Sequence, residues 1–224
     1  MMVILQNNNS AEVRSLSSST ALLDDVKVIR CNYDDLHGYQ SELLSGAMPV
    51  GSVEFVQRSL QLAGVQQPAF NPYDSCLEKY WRRSISIESV RNVRADFVDK
   101  SLFVKPVKLK KFNGFIYKGD LSQAYDVHDV EQLKILMTLP THEKIYTADV
   151  VDFVAEWRCY ILNGQLLGVC RHDAGDNDYE PDNDLVQQIV ARLPGRTLAA
   201  DVGLTAQGQF CVVELNDAWA IGKY

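Results

Sequence analysis

Residues 197–217, TLAADVGLTAQGQFCVVELND, constrain this chain more than any other stretch. Two apolar runs rich in β-branched residues, 198–204 and 209–216, flank the turn-forming residues 205–208. That is the pattern of two antiparallel strands joined by a tight turn. With Gln207-Gly208 as a two-residue loop, Asp201 is expected directly opposite Glu214. Asn216 lies two residues beyond Glu214 and shares its face, because strand side chains alternate with period two. Three hard oxygen donors then converge on one small volume. Such a set suits Mg²⁺, which takes one or two carboxylates and completes its octahedron with water and phosphate oxygens. The spacing fits equally a solvated hairpin face, on which acids are common.

With 224 residues the chain can bury the core of one domain or two small ones. A formal charge of −7 argues against general nucleic-acid binding, because surfaces that track phosphates need an excess of Lys and Arg. No run approaches the length of a membrane span, and MMVILQNNNS has neither the basic start nor the apolar length of a signal peptide. The expectation is a cytoplasmic protein with no membrane partner. The five cysteines are widely spaced without a C-x-x-C, which points to neither a disulfide framework nor a zinc site. His172-Asp173 has the makings of a base and its orienter, but it is read as a surface turn.

Along the chain, residues 2–5 read as a short strand and the Ser/Asn-rich 7–20 as a loop. Residues 25–31 alternate like a strand. Ser52 is placed to cap a helix over 53–62, with Val53, Val56, Leu60 and Ala63 along one face and Phe55 and Leu62 flanking them. Residues 64–78 are turn-rich and carry the chain toward a second region. YWRR at 80–83 either binds a phosphate or packs its aromatics while the arginines snorkel, and packing is the reading preferred.

From residue 101 the texture changes. SLFVKPVKLKKFNGFIYKG holds two strand-like runs, 102–107 and 112–117, and crowds Lys105, Lys108, Lys110, Lys111 and Lys118 together. Like charges this close repel, so the cluster is comfortable only in water or facing an anion. It is either a basic edge strand that discourages aggregation or a polyphosphate site. A short helix is expected over 129–137 and strands over 144–151 and 152–162. Glu156 and Arg158 share one face of the second strand, while Trp157, Cys159 and Ile161 face the core. Asn163-Gly164 predicts an antiparallel return through 165–171. The acidic 174–184 reads as a solvated loop, and 185–193 as an amphipathic helix with Gln187 and Gln188 outside.

Taken in order, these residues resemble the ATP-grasp superfamily, and within it the small clade named for one arginine and two lysines. FVKP at 103–106 is similar to the nucleotide-lysine strand, KFNG at 111–114 to the K-x-x-G element, and EWRCYIL at 156–162 to the E-W-R strand. Asp201 with ELND at 214–217 resembles the D…E-x-N metal signature, and PVGSVEFV at 49–56 a stretch near the start of the clade. The likeness is strongest over 101–224. It implies an α+β fold with two lobes bearing antiparallel sheets that grip a nucleotide. A small α/β N-terminal region over 1–100 precedes the ATP-grasp domain over 101–224.

The same resemblance implies roles. Lys105 contacts the α- or β-phosphate, Lys111 the outer phosphates and Arg158 the transferring phosphoryl group, so Arg158 and Lys111 are the expected catalytic residues. The strand around Thr147 and Val150 offers backbone groups to adenine, and Glu156 is nearby, as a partner of the ribose or of a residue that touches the nucleotide. Asp201, Glu214 and Asn216 hold Mg²⁺. The implied activity is ATP-dependent ligation, with an unknown carboxylate and an unknown amine on a small molecule, a peptide or a protein end. Two departures stand out: the usual Gly/Ser-rich phosphate loop is missing after Lys105, and the region before 101 is short for a full substrate domain. A nucleotide-binding module without turnover and a plain interaction protein with a basic hairpin are the rival readings.

Overall fold

Three fully buried residues, Val3, Ile4 and Leu5, form the middle of β1 (Met2–Gln6). A continuous apolar run of this kind suits a strand covered on both faces. In the computed structural model, which describes residues 1–8, 11–20, 25–66, 70–96, 100–107, 111–119, 125–173, 175 and 178–218, β1 is the centre of a parallel sheet. Its neighbours are β2 (Lys27–Cys31) and β3 (Met48–Val50), in the order β2-β1-β3. Between β1 and β2 the expected loop is instead a helix, α1 (Ala11–Thr20). Its serines do not break it, because Ser17 and Ser18 donate their hydroxyls to the carbonyls of Val13 and Arg14 at 2.7 and 3.1 Å. That satisfies the groups that otherwise compete with helical backbone, and Val13 supplies a buried contact. A 3₁₀ turn over Tyr33–Tyr39 and α2 (Gln40–Leu44) lead into β3.

α3 (Val53–Leu62) starts where the sequence says, with Ser52 Oγ accepting from the Phe55 amide at 3.3 Å. Its buried face is rotated from the expected stripe. Phe55, Val56, Ser59, Leu60 and Leu62 are buried and Val53 is only half-covered. The entry to α3 needs a glycine, since a Cβ on Gly51 would stand 2.5 Å from Gln6 Cβ.

The chain divides into two compact units, the first built from 1–74, 156–202 and the described residues from 213 onward, the second from 75–155 and 203–212. The second unit begins with a 3₁₀ turn at Ser75–Leu77 and the short α4 (Glu78–Trp81). Tyr80 is buried, and Arg83 donates to the carbonyls of Trp81 and Val212 at 3.1 and 2.9 Å, so the YWRR segment packs. β4 (Ile85–Ser89) and α5 (Val90–Asp96) follow; the sequence reading assigned neither. β5 (Leu102–Pro106), β6 (Phe115–Tyr117), α6 (Val127–Thr138) and β7 (Lys144–Ala148) complete an antiparallel sheet in the order β4-β7-β5-β6. Its core gathers Val90, Val93, Leu102, Val104, Phe112, Phe115, Tyr117, Leu136 and Ile145. α6 starts earlier than expected because Asp126, not Asp129, is its cap, accepting from the Asp129 amide at 2.7 Å.

The remaining sheet has the order β11-β10-β8-β9, from β8 (Phe153–Leu162), β9 (Gln165–Arg171), β10 (Leu198–Thr205) and β11 (Phe210–Asp217). Asn163 and Gly164 turn β8 into β9 with φ of 50° and 75°, as a type I′ turn requires. Before β10 comes α7 (Asn183–Val190), capped by Asp182 and burying Leu185, Val186, Ile189 and Val190 while Gln187 and Gln188 stay exposed. The β10–β11 turn differs from the expected two-residue loop. The Gly208 amide donates to Thr205 O and the Thr205 amide to Gln209 O, both at 2.9 Å. Ala206-Gln207 are therefore the central residues, and Gly208, at φ 76°, is the extra residue of a bulge. Among the described residues no helix is long and apolar enough to cross a membrane. Lys108, Lys110 and much of the acidic loop lie outside the described residues.

Candidate functional site

β10 is buried along its whole length, and Asp201 on it is only 2% exposed. A carboxylate cannot be taken from water at that position without partners, and both neighbouring strands supply them. From β8, Arg158 donates Nε to Asp201 Oδ1 at 2.7 Å and Nη2 to Oδ2 at 2.8 Å. From β11, Asn216 donates Nδ2 to Oδ2 at 2.7 Å. Arg158 is itself only 6% exposed, so the planar fork and the carboxylate form a desolvated bidentate pair. The sequence spacing set Arg158 beside Glu156; its bidentate partner is Asp201. The Glu156 amide instead donates to the Asp173 carboxylate, and its carbonyl accepts from the His172 amide at 2.8 Å.

His172, read from the sequence as part of a surface turn, faces this pair. Its Nε2 lies 3.3 Å from Arg158 Nη2 and 4.0 Å from Asp201 Oδ2. A guanidinium only donates, so Nε2 is the acceptor and the ring is neutral in this arrangement. Burial, the largest cause, pushes the His172 pKa below the ordinary imidazole value; Asp201 and Glu214 oppose it, and Arg158 reinforces it. The β8–β9 register brings His172 to this face. Counting from Asn163-Gly164, an unbroken ladder would put Arg158 opposite Val169. A shift between Tyr160 and Ile161 puts Arg158 opposite Cys170 instead. His172, two residues further along the chain, thereby joins the face of Arg158.

The structure thus brings Arg158, Asp201, Asn216 and His172 together, with Glu214 close enough to act on His172 electrostatically. Among the described residues no group of three or more His, Cys, Asp or Glu side chains could hold a metal ion. The oxygen donors that would be left to a cation here are Asp201, Glu214 and the Asn216 amide oxygen. Two carboxylates and one amide oxygen are hard donors of the kind Mg²⁺ takes, and in that respect the residues fit it.

In the second unit, Lys105 sits on β5 opposite Tyr146, and Val104 sits opposite Thr147 on β7. Thr147 is buried, with its hydroxyl 2.8 Å from that of Ser86, and Val150 is exposed just beyond β7. Lys111 Nζ pairs with Glu143 Oε2 at 2.9 Å. The KFNG turn that carries Lys111 is fixed from two sides. A Cβ on Gly114 would come within 2.5 Å of the Phe103 ring, so only glycine lets the turn lie on β5. Gln132, buried on α6, accepts from the Asn113 amide at 2.7 Å. Sequence reasoning passed over Gln132, although its position four residues before the fully buried Leu136 marks it as an inward-facing polar residue.

A family profile described as an ATP-grasp domain, family 2 of the clade named for one arginine and two lysines, matches residues 80–224. Among solved structures, the chain is similar to an ATP-grasp RimK domain protein from Sphaerobacter thermophilus, at 14% identity over 98% of this chain and 92% of that chain, with a TM-score of 0.53. It is also similar to a D-alanine–D-alanine ligase from Bacillus anthracis complexed with ATP, at 14% identity over 97% and 86% of the two chains and a TM-score of 0.53. A third likeness is to an L-amino acid ligase from Bacillus licheniformis, at 11% identity over 99% and 68% and a TM-score of 0.56. At these identities the likeness is one of fold. No curated protein sequence gives a significant match. The family profile covers well over half of the chain, including every motif from FVKP to ELND, and the chain belongs to the ATP-grasp superfamily, in the clade family that this profile defines.

Proposed function

We propose that the chain is an ATP-dependent ligase that activates a carboxylate as an acylphosphate and joins it to an amine. The observation that carries this reading is the buried Arg158, pre-oriented by Asp201 within reach of the Glu214 and Asn216 strand. The ligase relatives of the same fold support it. Phosphoryl transfer asks a protein chiefly for in-line positioning and for positive charge on the phosphate oxygens. In this reading Lys105 contacts the α- or β-phosphate and Lys111 the outer ones, while the strand around Thr147 and Val150 gives backbone groups to adenine and Glu156 lies near the ribose. Asp201, Glu214 and Asn216 would hold Mg²⁺, which when bound neutralises phosphate charge.

The reaction runs in two steps. A carboxylate oxygen attacks the γ-phosphorus, the bond from the β–γ bridging oxygen breaks, and ADP leaves. The planar fork of Arg158 matches a pair of equatorial phosphoryl oxygens in that step. The amine then attacks the acyl carbon, loses a proton and expels phosphate. A cytoplasmic location goes with the same reading.

Hydroxylamine, a small nucleophile that stands in for any acceptor amine, tests it. Incubated with ATP, Mg²⁺, hydroxylamine and pooled amino acids or short peptides, the protein should form a hydroxamate and ADP in equal amounts, and Arg158→Lys should lose most of both. Nucleotide binding with no hydroxamate and no ADP from any carboxylate pool would overturn the ligase reading in favour of a non-catalytic module.

A further inference from the structure

We propose that Asp201 is shared between Arg158 and the cation, so that a divalent ion takes the site only weakly alone and tightly together with the nucleotide. This rests on the reading of Asp201, Glu214 and Asn216 as metal ligands. Asp201 receives three N–H donors, Arg158 Nε and Nη2 and Asn216 Nδ2, at 2.7, 2.8 and 2.7 Å. At 2% exposure it is not accessible to an incoming hydrated ion from solvent without local rearrangement. Asn216, a second expected ligand, has its amide turned so that the NH₂ faces Asp201.

The charges point the same way. Arg158 is a fixed positive charge, because a guanidinium does not lose its proton in proteins. A divalent ion on Asp201 would stand close to that charge in surroundings with little water to screen it. A triphosphate removes the conflict. Its oxygens give the freed guanidinium a bidentate anionic partner, and they supply the remaining ligands of the ion. Arg158 is therefore the group that makes cation binding conditional on nucleotide.

The consequence runs against intuition: removing a phosphate-binding arginine should improve cation binding in the absence of nucleotide. Mn²⁺ titrations followed by electron paramagnetic resonance read this directly. Wild-type protein should bind Mn²⁺ weakly alone and tightly with a non-hydrolysable ATP analogue. Arg158→Gln should bind nucleotide-free Mn²⁺ about tenfold more tightly than wild type, within the usual range of coupling between two ligands. Arg158→Lys, which keeps the charge, should remain near wild type, and the double variant Arg158→Gln with Asp201→Asn should lose the gain. Where Arg158→Gln does not unfold cooperatively, Arg158→Met fills the same volume without charge and replaces it. Unchanged nucleotide-free affinity in the uncharged variants, together with its loss in Glu214→Gln, would overturn the sharing of Asp201 and leave the metal site standing. No Mn²⁺ binding to any variant, with or without the analogue, would overturn the metal reading itself and the sharing with it.

Discussion

Two ion pairs, one in each unit, hold cations that the family resemblance assigns to ATP phosphates, and they differ in burial. In Arg158–Asp201 the side chains are 7% and 3% exposed, and the contact is bidentate. In Lys111–Glu143 they are 37% and 15% exposed, and the contact is a single 2.9 Å approach. Water and salt screen the second pair, so releasing Lys111 costs little. The first pair is desolvated, and neither member tolerates loss of the other without a replacement. A half-exposed lysine can thus be parked almost anywhere nearby, whereas a buried arginine needs a built socket. Asp201, Asn216 and His172 are that socket.

The largest expected effect breaks the buried pair. Asp201→Ala leaves the Arg158 charge without its bidentate partner and should cost about 3–5 kcal/mol of stability in urea unfolding. A cost below about 1 kcal/mol would place the pair with surface pairs and erase the contrast. Next comes Gly114→Ala, which forces a methyl group into the Phe103 ring and should destabilise by about 1–3 kcal/mol. Its lysine turn should shift with it, so weakened binding of an ATP analogue is the accompanying readout, and an unaffected affinity would show that the turn need not lie on β5.

A smaller effect concerns the strand end that supports His172. Asp173 is lowered from 3.8 to about 2, first by the hydrogen bond from Arg171 and then by the amides of Glu156 and Gly175, with desolvation opposing. A depressed folded-state pKa contributes stability above the unfolded value, and that stability is lost as pH falls from about 4 to about 2. Asp173 is partly exposed, so with screening the contribution is about 1 kcal/mol. Asp173→Asn should therefore be less stable than wild type by that amount at neutral pH and equal to it near pH 2; a gap that persists at pH 2 would assign the effect to packing. The smallest effect is that of Glu143→Gln, expected to cost about 0.2–1 kcal/mol. Calorimetry should find nucleotide affinity equal or slightly higher in this variant, and a clear loss would make Glu143 part of the site rather than a resting place for Lys111.

Much of the architecture was legible because local rules set it. Ser52 caps α3 and Asn163-Gly164 makes its type I′ turn as written in the sequence. The strands over 144–148, 153–162 and 165–171 follow the apolar runs. What escaped depends on single-residue irregularities and on long-range contacts. The shift at Tyr160/Ile161 moves the β8–β9 pairing by one residue, and with period two that exchanges one face for the other. That shift brings His172, read from the sequence as part of a surface turn, to the face of Arg158. The Arg158–Asp201 pair spans 43 residues, a separation about which strand periodicity says nothing. α1 escaped because serines that bond back to their own helix look, in sequence, like serines that break one.

In the proposed function, the Glu214 and Asn216 strand forms a MgATP site with Arg158. Thermal unfolding with and without MgATP, in wild type and in Glu214→Ala, addresses it most directly. A ligand that binds only the folded protein stabilises it by mass action, by about 2.7 kcal/mol at a hundredfold excess over its dissociation constant. Wild type should show a clear rise in melting temperature that Glu214→Ala lacks. An equal rise in both would remove Glu214 from the site, and no rise in either would contradict nucleotide binding altogether.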